Sequence, residues 1–78
     1  MAVYIPIWKT AENAEFVVYE FGNGDETLGI IKIEKQSGKM DLVGSRRDAD
    51  EFYFRRAMRK LYLHWEKSEF PERTAWAS

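Results

Sequence analysis

The chain has a single histidine, His64, in the segment Leu61-Tyr62-Leu63-His64-Trp65. A histidine can act as a general base, a pH-sensitive contact or a metal ligand. There is no cysteine in the chain and no carboxylate pair beside it to complete a zinc site. At the border of an apolar helix face, its expected role is a boundary residue with a satisfied ring nitrogen. Ser37, Ser45, Ser68 and Ser78 fall in turns or at a terminus, and none sits in a G-x-S-x-G elbow. Gly22-Asn23-Gly24 is not followed by a helical pattern, so it is not a phosphate cradle. Asp48, Asp50 and Glu51 could bind a metal, but their place at a helix start explains them as caps and dipole partners. The expectation is a non-enzyme with no cofactor, no metal and no small-molecule substrate.

Basic residues offer a different chemistry. Arg46, Arg47, Arg55, Arg56, Arg59 and Lys60 form two short runs, and arginines on one helix face can track phosphates. Tyr53, Phe52 and the sheet aromatics could stack on bases. The net charge of −1 argues against this, as do seven carboxylates among residues 1–45. Residues 1–45 carry four lysines against those seven, a net of −3; residues 46–67 carry seven basic against four acidic side chains, a net of +3. The simpler consequence is attraction between two halves of one fold. Nucleic-acid binding through these six residues is the alternative expectation.

The elements that would position these residues follow from periodicity. "VYIPIW", "EFVVYEF", "LGIIKIE" and "KMDLV" alternate with period two and are rich in branched and aromatic residues, so they predict strands over about 3–8, 15–21, 28–34 and 39–43. Gly22-Asn23-Gly24-Asp25 predicts a hairpin, and Gln36-Ser37-Gly38 a weaker turn. Pro6 cannot donate a ladder bond, which predicts an edge or a break in the first strand. From Asp48 the period becomes 3.6, which predicts a helix over about 48–68, ended before Pro71, with an extended tail over 69–78. The chain thus reads as one α+β domain: an antiparallel meander of three or four strands, then one long helix packed on one sheet face.

At 100° per residue, Phe54, Ala57, Met58, Leu61 and Trp65 share one arc, with Tyr62 on its flank. Arg55, Arg56, Arg59, Lys60 and Lys67 lie opposite, with Phe52 and Leu63 among them. The strands carry the same surplus. One face takes Val3, Ile5, Ile7, Val17, Tyr19, Phe21, Ile31 and Ile33, with Met40 and Leu42. The other takes Tyr4, Trp8, Phe16, Val18, Leu28, Ile30 and Val43, mixed with Glu20, Lys32 and Glu34. A sheet with one wet side should alternate cleanly, and this one does not. The second face needs a cover: the Trp76 tail, a second copy, or another protein.

The sequence therefore points to a protein–protein association domain, a homodimer in the simplest case, of accessory, regulatory or inhibitor-like character. The expected contacts are Tyr4, Trp8, Phe16 and Ile30 on the sheet, then Phe52, Arg56, Arg59 and Leu63 on the outer helix. No window approaches a membrane span, the start lacks a signal-peptide pattern, and the lack of cysteine suits a reducing compartment; the expected location is cytoplasmic.

Overall fold

A computed structural model of the chain describes residues 4–22, 27–45 and 51–77. Its elements are β1 (Tyr4–Glu12), β2 (Phe16–Gly22), β3 (Thr27–Glu34), β4 (Met40–Ser45), α1 (Glu51–Glu66) and β5 (Arg73–Ala77). The strands form one antiparallel sheet in the order β4-β3-β2-β1-β5. The α+β class holds, with five strands rather than three or four. The extra strand is the segment expected to be a tail. Thr74 and Trp76 alternate with Arg73, Ala75 and Ala77 there, and β5 pairs with β1 in an unbroken register from Tyr4↔Ala77 to Trp8↔Arg73.

That pairing moves β1 away from the edge that Pro6 predicted. Lys9 N–H donates to Glu72 O at 2.9 Å, so odd residues of β1 turn their backbone groups toward β5. The Pro6 nitrogen therefore faces the β2 side, where the β1–β2 register begins only at Ile7↔Phe21. The missing donor falls just beyond the end of that ladder and removes no bond.

The core lies between the sheet and α1. Ile5, Ile7, Val17, Tyr19, Phe21, Ile31 and Ile33 are buried on one sheet face, against Ala57 and Leu61 of the helix. Each large side chain among them contributes roughly 1.5–3 kcal/mol by leaving water. Met40, Tyr53, Phe54, Met58, Trp65, Phe70 and Trp76 pack around this centre. Tyr62, expected at the flank of the packed arc, is exposed.

Leu28 was expected on the opposite face but joins the core. The β2–β3 ladder pairs Phe21 with Gly29 and Gly22 with Thr27, which leaves Leu28 in a bulge and re-aims it. A Cβ on Gly29 would lie 2.5 Å from the Phe21 ring, so only glycine fits beneath that ring. Val3 and the proposed caps Asp48 and Asp50 lie outside the described residues.

The connections are local chemistry. Asn13 Oδ1 accepts from the backbone N–H groups of Glu15 (2.8 Å) and Phe16 (2.7 Å), which tightens the β1–β2 turn. At the β3–β4 turn Gly38 has φ 78°, and its N–H donates to Glu34 O at 2.8 Å. The helix stops two residues earlier than expected because Ser68 enters the left-handed region at φ 57°. Glu69 N–H then donates to His64 O (3.0 Å) and Ser68 N–H to Trp65 O (2.9 Å), the pattern of a Schellman cap usually built on glycine.

Two substitutions test these backbone positions by chemical denaturation. Ser68→Gly should raise stability by roughly 0.5–1 kcal/mol, because it relieves a left-handed non-glycine residue. Gly38→Ala should lower it by about 2 kcal/mol or more, since strain adds to a Cβ placed 2.8 Å from the Trp65 indole.

Candidate association surface

Position of the outer sheet face follows from the core. Since Ile5, Ile7, Val17, Tyr19, Ile31 and Ile33 point to the helix, their neighbours point away from it. Tyr4, Pro6 and Trp8 of β1, Phe16, Val18 and Glu20 of β2, Ile30, Lys32 and Glu34 of β3, and Arg73 and Ala75 of β5 form this surface. Trp8 stands between Glu20 and Arg73, Glu20 beside Ile30, and Phe16 beside Glu34. Among the described residues no element lies over this face.

The tail does not cover it. Trp76 pairs in register with Ile5, so it shares the core face and packs at the rim of the helix. β5 widens the sheet instead of folding back behind it. Three contacts hold it there. The buried Tyr19 hydroxyl donates to Pro71 O at 2.7 Å, and Lys9 N–H to Glu72 O. His64 Nε2 lies 2.9 Å from Thr74 Oγ1. Trp65 Nε1–H donates to Lys35 O at 2.7 Å and ties the other side of the helix end to the β3–β4 turn.

Charges collect at the same end. Glu12 accepts from Lys35 (2.8 Å) and Lys9 (2.7 Å), with Glu72 at 3.4 Å from Lys9. The Lys35 and Lys9 ammonium groups hold the Glu12 carboxyl down at about 2. His64 is held below the usual histidine range, first by burial and then by Lys60, which favours the neutral ring beside Thr74. This is the satisfied boundary histidine that its place in sequence implied.

The structure separates the two sets of expected contacts. Tyr4, Trp8, Phe16 and Ile30 share the outer sheet face. Phe52, Arg56, Arg59 and Leu63 lie on the helix, beyond the other face. Within the first set, cover is uneven. Lys32 Nζ sits 4.0 Å over the Phe16 ring, and Glu20, hydrogen-bonded to Thr27 Oγ1, stands beside Ile30. These stems shield the middle of the face. Tyr4 is 67% exposed, and with Pro6, Ile7, Trp8, Arg73 and Thr74 it lines a groove of about 350 Å³. The open part of the face is thus the β1–β5 side. Arg73 and the β5 backbone escaped the sequence reading because a five-residue strand between a turn and the last residue looks like a tail.

Among the basic residues, Arg55 and Arg59 are exposed, Lys60 is half-buried, and Arg56 stacks on Phe52 at 4.6 Å and Trp76 at 5.7 Å. Arg46 and Arg47 lie outside the described residues. No three metal-ligating side chains gather among the described residues, and no helix there is long and apolar enough to cross a membrane. Compared with known proteins, the chain matches no family model, no curated protein and no solved structure.

Tyr19 carries the attachment of β5 and can be tested alone. Burial, reinforced by Glu12 and Glu72, pushes its hydroxyl well above the usual phenol range. A raised pKa means the folded chain keeps a proton that the unfolded chain releases. Stability is therefore intact below about pH 10 and falls as pH rises beyond it. Tyr19→Phe should cost about 1–2 kcal/mol at pH 7, through the unpaired Pro71 carbonyl, and should flatten the alkaline loss seen in denaturation midpoints.

Proposed function

We propose that this protein is a small cytoplasmic association domain that binds a protein surface, in the simplest case a second copy of itself, through the outer face of its sheet. One observation carries the reading: Tyr4, Pro6 and Trp8, with Arg73 beside them, line a groove of mixed polar and apolar character on a face that no described element covers. Aromatic residues and arginine are the side-chain types that dominate interface energetics; Tyr4 is exposed, and Arg73 stands next to the half-buried Trp8. Phe16 and Ile30 flank this centre under the stems of Lys32 and Glu20. The helix set, Phe52, Arg56, Arg59 and Leu63, is a separate and weaker candidate, because Arg56 is already stacked on Phe52 and Trp76. The same stacking weakens the nucleic-acid alternative, whose basic arc has Arg56 at its centre.

Light scattering over a concentration series tests the reading. The mass should rise from 9.2 kDa toward twice that value at tens of micromolar. Trp8→Glu should weaken assembly at least tenfold while circular dichroism stays native, because Trp8 faces away from the core. Unfolding of that variant would make the face part of the core and overturn the reading. Mobility shifts with random DNA and RNA at low salt test the alternative, and no shift removes it.

A further inference from the structure

β5 ends the sheet without irregularity, and β4 at the opposite rim does not. The β3–β4 ladder pairs Ile30 with Gly44 and Ile31 with Leu42, which leaves Val43 in a bulge. A bulge breaks the regular outward repeat that another strand needs, a common way to blunt an edge. Along β5 the register against β1 has no such shift. Its phase is fixed by the Lys9 N–H bond to Glu72 O. Glu72, Thr74 and Trp76 turn their backbone groups toward β1, so Arg73, Ala75 and Ala77 turn theirs outward. No strand lies beyond them among the described residues. The strand has no proline and no lysine, the usual guards of an edge.

We propose that β5 pairs antiparallel with β5 of a second copy, about a two-fold axis at Ala75, joining the two sheets into one. This pose rests on the self-association reading above and moves the contact from the outer face itself to the β5 edge that borders it.

Phase, charge and size support the same axis. With the axis at Ala75, Arg73 faces Ala77 of the second copy, Ala75 faces Ala75, and Ala77 faces Arg73. Every outward residue then falls in a hydrogen-bonded pair. Arg73 is the only charged residue of β5, and here it meets an alanine. An axis at Arg73 would set two guanidinium groups directly opposite. Alanine at 75 and 77 keeps the outer side of the joint low. One cross-strand row there reads Trp8, Arg73, then Ala77 and Tyr4 of the second copy. At about 4.8 Å per strand, Trp8 and that Tyr4 stand roughly 14 Å apart on either side of the seam, so the two grooves meet across it. The contact is isologous and closes at two copies.

Reciprocal charges at the axis test the pose. Ala75→Lys and Ala75→Glu each place like charges face to face in the pair, while in the single chain the side chain lies on the outer face. Wild type should reach the dimer mass. Each variant alone should stay at 9.2 kDa with native circular dichroism, at least tenfold weaker in assembly. An equimolar mixture should return to the dimer mass. Ala75→Pro gives a second route if either variant fails to fold: it deletes an outward N–H that the single chain does not use, and should also abolish the dimer. Assembly of either charged variant or of Ala75→Pro like wild type, or a mixture that stays monomeric, overturns the pose. If those variants assemble normally while Trp8→Glu dissociates, the sheet-face reading stands without the edge. A wild type that remains monomeric at tens of micromolar ends both.

Discussion

A helix laid on a sheet covers one face and only part of its width. Five strands at about 4.8 Å span roughly 19 Å between outer strand axes, and a helix with its side chains is about 10–12 Å across. In this chain α1 sits over the middle and the β5 side, where Ala57 and Leu61 lose all contact with water. Leu42, on the core side of β4, is left exposed. The outer face has no roof at all among the described residues. The rest of the structure works within that limit.

Part of the answer is internal. Lys32 lies over Phe16, and Glu20 is fixed by Thr27 next to Ile30, so charged side chains with apolar stems thin the exposed surface over β2 and β3. The other part is the path of the last residues. The Schellman turn at Ser68, the Tyr19 bond to Pro71 and the Lys9 bond to Glu72 direct the chain back alongside β1. That route supplies Trp76 to the core side and leaves Tyr4, Pro6 and Trp8 uncovered on the other. It also exchanges an open β1 edge for an open β5 edge.

Much of this was legible in the residues. Period two over the first forty-five positions marked all four of the leading strands, and the change to 3.6 at Asp48 marked the helix and its buried arc. The assignment of faces held for Ile5, Ile7, Val17, Tyr19, Phe21, Ile31 and Ile33, since a pleat offers only two directions. It failed at Leu28, because a bulge inserts one residue and no local pattern announces it. Pro6 misled for a related reason: its missing donor harms a strand only if a partner stands opposite, and partner overlap is a tertiary fact. The helix end was overshot because Ser68 takes a conformation that serine seldom adopts. The tail hid a strand because "RTAWA" is too short for its alternation to stand out. Consequently Tyr4 and Trp8 were found as surface candidates, while Arg73 and the β5 edge beside them were not.

The two candidate contact sets also show what spacing alone can and cannot do. Phe52, Arg56, Arg59 and Leu63 share a helix stripe, and Tyr4, Trp8, Phe16 and Ile30 share a sheet face, as periodicity implies. Only the fold shows that the two sets are on opposite sides of the molecule. Of the helix set, Arg56 reaches the β5 side through its stack on Trp76. Residue-resolved amide exchange, followed at several protein concentrations, tests this account most directly. The account predicts that Thr74 and Trp76 are protected at every concentration, and that Ala75 and Ala77 become protected only as the protein is concentrated. Ala75 and Ala77 amides that exchange freely at all concentrations would contradict it.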